Sequence, residues 1–123
     1  MTPTDLAHAF VGRINAHDAD GLARLMTEDF VFTDYTGQRQ TSREVMRDAF
    51  GRYFESCLEY RIHVAQVLLS GSDSALIFGH VTGSHLGEEI EKRGMLAWKA
   101  EVRDGLVAEW RIYANPAALR GRD

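Results

Sequence analysis

After Cys57 the hydrophobic period of this chain changes from helical to two, and that change limits the folds open to it. Up to Cys57, apart from one short run at Phe30 to Asp34, apolar residues recur at helical spacing; beyond it they alternate. Leu6, Ala7, Phe10, Val11 and Ile14 predict a first helix, which Thr4 can cap and Asn15 to Asp18 ends. Asp20 can cap a short second helix through Leu22, Leu25 and Met26, before Thr27, Glu28 and Asp29 break the pattern. Phe30 to Asp34, stopped by Tyr35-Thr36-Gly37, predicts a short strand. Thr41 or Ser42 caps a third helix, with Glu44 placed for a capping box and a stripe of Val45, Met46, Ala49, Phe50, Tyr53, Phe54 and Cys57.

Four strands follow: Tyr60 to Leu69, Ala75 to His85, Arg93 to Arg103 and Leu106 to Tyr113. The turns between them fall at Ser70–Asp73, Leu86–Glu89 and Asp104-Gly105. Asn115-Pro116 ends the last strand and Ala117 to Asp123 reads as a tail. Helices followed by a strand meander mean an α+β fold, not a doubly wound sheet.

Length and charge narrow the rest. The 123 residues suit one domain spanning 1–123. A net charge of -4 with no basic run argues against nucleic acid and anionic membrane surfaces as partners. Cys57 is the only cysteine, so neither an internal disulfide nor a cysteine zinc cage can form. The N-terminal residues lack the basic-then-apolar pattern of a signal peptide, and no run approaches the roughly 18 apolar residues of a membrane span. The expected location is the cytoplasm.

Strand parity separates two faces. Leu96, Trp98 and Ala100 share one with Ala108, Trp110 and Ile112; Ala97, Lys99 and Glu101 share the other with Val107, Glu109 and Arg111. The tryptophan face belongs beneath the helices. The charged face can pair across strands and suits a partly polar interface.

Three phrases carry a family resemblance: Ile14-Asn15-Ala16-His17-Asp18, Glu28 to Gly37, and the ending Gly105-Leu106-Val107-Ala108-Glu109-Trp110-Arg111. In this order they resemble SnoaL-like members of the nuclear transport factor 2-like superfamily, over nearly the whole chain. The resemblance implies a cystatin-like cone: three N-terminal helices packed on a strongly curved mixed, mainly antiparallel sheet that encloses an apolar pocket. It also implies a small apolar or aromatic ligand, pairing of two copies through the outer sheet face, and a cofactor-independent cyclase or isomerase acting on a carbonyl compound. The superfamily also holds non-catalytic binders, so a binding or dimerisation module stands as the alternative.

The same resemblance singles out Asp34, at the position where related ketosteroid isomerases place a general base; beside apolar walls its pKa should rise. The other reading is an aspartate bonded to its own turn through Thr36 or Gly37. Matched to its family counterpart, the second of the four strands turns Phe78, His80 and Thr82 inward, so that His80 could join Asp34 in a dyad; a structural histidine or a register one residue off is the alternative. The oxyanion-hole positions of the isomerases fall at Phe10 and about Leu96, neither of which can donate a hydrogen bond. An epoxide-hydrolase site needs a second inward carboxylate that is not found. A scytalone-dehydratase-like set is incomplete, with His80 and Tyr53 as its only candidates. The cyclases, which need one acid/base centre and an apolar cavity, are contradicted least.

Phe10, Phe50, Tyr53, Phe54, Phe78, Thr82, Leu96, Trp98, Trp110 and Ile112 are the expected lining, though aromatic residues can equally fill a core. His8, His17, His63 and His85 have no metal-ligand spacing, and neither metal nor cofactor is expected. Glu88 to Arg93 reads as a solvated connection.

Overall fold

Helix α1 (Pro3–Asn15) begins at a capping box: the Thr2 hydroxyl accepts from the Asp5 N–H, and the Asp5 carboxylate accepts from the Thr2 N–H. The cap is therefore Thr2, not Thr4; Pro3 fits the first turn because it needs no partner there. Its inner stripe, Leu6, Ala7, Phe10, Val11 and Ile14, is buried. Asp18 rather than Asp20 caps α2 (Ala19–Ala23) through the Gly21 N–H. Met26 does not close that helix but opens β1 (Met26–Thr33), and Thr27 to Asp29, expected to break the pattern, run within the strand. A short exposed strand that the sequence did not announce, β2 (Arg39–Thr41), pairs back on β1. Ser42 caps α3 (Arg43–Ser56) by accepting from Val45, which leaves Glu44 one residue short of the capping-box position.

The computed structural model describes residues 1–92 and 94–114. Arg93, expected to open a strand, and the expected strand end at Asn115-Pro116 with the tail 117–123 lie outside the described residues. The meander comprises β3 (Arg61–Ser70), β4 (Ser74–Thr82), β5 (Leu96–Arg103) and β6 (Leu106–Ala114). Between β4 and β5 a single turn of helix, α4 (Glu88–Glu91), stands where a strand connection was expected. The sheet order is β2-β1-β6-β5-β4-β3, antiparallel except for the parallel β1–β6 pair. It is the mixed, mainly antiparallel α+β fold expected from the sequence. Helix α1 packs across β3, β4 and β5, and α3 across β1 and β2.

Residues directly opposite in a ladder share a face. Trp98 faces Ile77 and Ile112, and Trp110 faces Ala100, so these form the inner surface with Ala75 and Val81. Phe78 lies opposite Ala97, and His80 opposite His63, on the outer surface. The inward placement of Phe78, His80 and Thr82 was wrong: the residues grouped correctly, but the buried set of β4 is Ala75, Ile77, Gly79 and Val81. A bulge beside Glu101 also turns Val107 inward, fully buried, against the expected parity. The expected cross-strand ion pairs do not form either, because Lys99 stands opposite Arg111 and Glu101 opposite Glu109.

The core is aromatic. Phe10 sits 4.5 Å from Trp110 and 6.0 Å from Phe30, ring centre to ring centre, and Trp98 stacks 6.5 Å from Trp110. Each polar member of the phrase after α1 has a structural task. Asn15 donates to the Ile62 carbonyl (2.9 Å) and accepts from the Ile62 N–H (2.8 Å), so its amide acts as a partner strand for β3. His17 takes a positive φ of 54°, hydrogen-bonds the Tyr60 carbonyl at 2.8 Å and stacks on Phe54. Asn15→Ala removes both clamp bonds and strands the Ile62 amide. The expected loss is about 2 kcal/mol, read as a lower urea midpoint; an unchanged midpoint would mean the clamp adds nothing.

Candidate functional site

Where α3 stands off the sheet, a cavity of about 440 Å³ remains, within the range of small-molecule sites. Its floor is Leu96, Trp98, Trp110 and Ile112 from β5 and β6; Phe32 of β1 and Phe50 and Tyr53 of α3 form walls, and Ile14 closes one side. Asp34 lines the cavity near its edge, on the same face of the chain as Phe32. Six of the ten expected lining residues are thus brought together: Phe50, Tyr53, Leu96, Trp98, Trp110 and Ile112. Phe10 is instead locked between Phe30 and Trp110 behind the floor. Phe54 is turned toward His17 and lines a separate shallow groove, and Phe78 and Thr82 lie on the outer face.

Asp34 closes the loop between β1 and β2. Its Oδ1 accepts from the Thr36 hydroxyl (2.6 Å), the Thr36 N–H (2.9 Å) and the Gln38 N–H (3.0 Å). The Thr36 hydroxyl is the main reason its carboxyl lies below the ordinary 3.8; burial pushes the other way and is outweighed. The expected rise in pKa does not occur, because the rim is wet and the turn supplies donors. All three bonds use Oδ1, so the charge is held at the rim with Oδ2 outside the turn network. His80 forms no dyad with it: exposed on the outer face, His80 stacks on His63 with ring centres 4.6 Å apart.

A second polar group at the rim was not foreseen as a pair. The Tyr53 hydroxyl hydrogen-bonds His85 Nδ1 at 2.8 Å and also accepts the His85 backbone N–H at 3.2 Å. The Tyr60 ring meets Tyr53 edge-on, 5.0 Å between centres, and its side chain also lines the cavity. Ser84 anchors the loop that carries His85, giving both its N–H and its hydroxyl to Glu91 of α4. Burial pushes Tyr53 up to about 12 and raises Tyr60 as well, so both phenols keep their protons near pH 7. Tyr53 was legible from the α3 stripe. His85 and Tyr60 were not, because they meet the cavity from the loop after β4 and the turn before β3, which sequence periodicity does not place.

The site therefore joins an apolar floor to a rim with one ionised carboxylate and a hydrogen-bonded tyrosine–histidine pair. Among the described residues no group of three or more His, Cys, Asp or Glu could hold a metal ion, and no helix is long and apolar enough to cross a membrane.

Residues 7–110 match the profile of the SnoaL-like domain family. Among curated proteins none matches the sequence. Solved structures match it closely in shape at low identity. A cystatin-fold protein of Novosphingobium aromaticivorans is 17% identical with a TM-score of 0.79, over 93% of this chain and 99% of that one. A candidate polyketide cyclase of Sinorhizobium meliloti is 20% identical at 0.73, over 88% and 93%. A candidate ketosteroid isomerase of Kribbella flavida is 20% identical at 0.71, over 91% and 78%. At these identities the likeness is one of fold.

Two titrations test the electrostatics. By NMR the Asp34 carboxyl should titrate below 3.8, and Thr36→Val should move it back upward; a depressed pKa stabilises the fold above 3.8 and loses that contribution as pH falls through the folded value. A wild-type value at or above 3.8 would refute the turn assignment. The raised tyrosines have the opposite sign: their contribution is complete below their ordinary value of 10.0 and is lost as pH rises toward about 12. Urea midpoints should fall over that window, and Tyr53→Phe with Tyr60→Phe should flatten the decline.

Proposed function

The chain belongs to the SnoaL-like domain family, and on that premise we propose that it binds a small, largely apolar carbonyl compound and moves a proton on it, as a cyclase or isomerase does. The observation that carries this reading is the division of the cavity into an apolar floor and a polar rim. A flat ligand seats its rings on Trp98 and Trp110 and leaves its carbonyl end beside Tyr53, His85 and Asp34. Tyr53, neutral and hydrogen-bonded, donates to the carbonyl oxygen as negative charge develops there. Asp34 is the ionised group that receives the proton from the neighbouring carbon through Oδ2. Because its pKa is depressed, Asp34 is a weaker base than the sequence suggested, and more of the work falls on stabilising the oxygen.

That same depressed pKa favours a second reading, a carrier that holds the ligand without chemistry. One experiment separates the two. Both tryptophans of the chain line the cavity, so quenching of their fluorescence by a panel of cyclic and aromatic ketones reports binding. Deuterium exchange beside the carbonyl of a bound ketone, followed by NMR, reports proton transfer without knowledge of the natural substrate. On the enzyme reading, Asp34→Asn and Tyr53→Phe each slow that exchange by about 100-fold while quenching persists. Binding with exchange no faster than in buffer would leave the carrier; no quenching by any ketone would reject both.

A further inference from the structure

The cavity does not end at its polar rim. Three of the side chains that line it are large, apolar and exposed: Tyr35 at 43%, Ile90 at 47% and Met95 at 51%. They come from three separate segments, the loop after β1, helix α4 and the stretch that enters β5. A single exposed apolar residue needs no explanation, but three gathered at one opening form a collar that continues the floor outward. The side of the collar that bears Ile90 is pinned, not waiting to close. Glu91 accepts both the Ser84 N–H and the Ser84 hydroxyl, and the His85 N–H is given to the Tyr53 hydroxyl. Where that loop begins, a Cβ added at Gly83 would lie 2.3 Å from the Glu59 carbonyl oxygen, so the backbone is seated on the turn before β3. An anionic lipid surface does not suit it either, because Glu88, Glu89 and Glu91 stand on the same short helix.

Resting on the reading that the cavity takes a carbonyl compound, we propose that this compound carries a neutral alkyl tail, and that Tyr35, Ile90 and Met95 seat the tail. At about 440 Å³ the cavity stands toward the small end of ligand sites, so a ring with more than a short substituent must extend through the opening. With the ring on Trp98 and Trp110, the chain leaves through the collar, and apolar surface on both partners is withdrawn from water. The collar thereby turns ligand length into affinity, each methylene adding burial that a polar substituent would not. Ile90 and Met95 are in this sense specificity residues: they touch the tail and leave the reacting end alone.

Tryptophan quenching by a series of phenyl alkyl ketones, from acetophenone to octanophenone, tests it. Dissociation constants should fall by about two- to fourfold for each added methylene that reaches the collar. Ile90→Ser with Met95→Ser, checked for folding by circular dichroism, should bind acetophenone as the wild type does and lose the gain with length. Methyl NMR of the wild-type methionines keeps the test decisive if that variant fails to fold. Met46, which also lines the cavity, should shift with either ketone, whereas Met95 should shift with octanophenone alone. Silence at Met46 and no quenching with any ketone would reject the parent reading and this one together. Binding of acetophenone without gain on lengthening, or a Met95 signal that ignores octanophenone, would overturn the tail alone. Wild type that cosediments with phosphatidylcholine vesicles, where the variant does not, would reassign the collar to a membrane and overturn it too.

Discussion

Cross-strand partners in a pleated ladder cannot face opposite ways, and the architecture of this chain follows from that constraint in β5 and β6. Pairing Trp98 with Ile112 and Ala100 with Trp110 commits two large rings and their neighbours to the inner surface. The intervening residues Lys99, Glu101, Glu109 and Arg111 are then forced outward together. The parallel register of β1 on β6 extends the same rule: Phe32 beside Trp110 turns inward, and Asp34, two residues on, turns to the cavity edge. One alternation thus sets the cavity floor, the carboxylate at its rim and the charge pattern on the far side.

The position of Asp34 and its protonation behaviour have different origins. Alternation aims the residue at the cavity, but the loop that follows decides its chemistry. Three donors from Thr36 and Gln38 converge on one oxygen, and their sum exceeds the cost of partial burial. A carboxylate at the end of an apolar strand becomes a strong base only where the next turn withholds its donors. Here the turn supplies them, and the neutral phenols of Tyr53 and Tyr60 are the groups that burial perturbs most.

The sequence made the fold class, the three helices and the meander legible because hydrophobic period reports them directly. Trp98, Trp110, Ile112, Phe50 and Tyr53 followed from parity and from a helical stripe. His80 failed for a definable reason: period two divides β4 into Leu76, Phe78, His80, Thr82 and Ala75, Ile77, Gly79, Val81, but does not say which set is buried. The second set has smaller side chains where the sheet is most crowded; at Gly79 an added Cβ would lie 2.1 Å from the His63 carbonyl oxygen. His85 and Tyr60 were illegible because the loop after β4 and the turn before β3 approach the cavity through contacts distant in sequence. The caps of α1 and α2, Thr2 and Asp18, lie two residues before the expected Thr4 and Asp20, because capping depends on polar residues outside the apolar pattern; Ser42 of α3 was one of the two residues expected there.

The two long helices also explain why a cavity exists at all. The five inner residues of α1 are buried, so that helix fills its half of the sheet. On α3 only Met46 and Phe54 reach full burial, while Phe50 and Tyr53 remain partly exposed along the cavity wall. Apolar surface left in contact with solvent costs about 25 cal/mol per Å², so the unfilled side of α3 is stabilisation that the fold forgoes when empty. A flat apolar molecule against Phe50 and the two tryptophans would recover part of it, and by mass action would stabilise α3 together with the loop that Ser84 and Glu91 pin across the rim. The incomplete core is thus a physical reason for this fold to take a ligand, and it holds whether or not Asp34 ever accepts a proton.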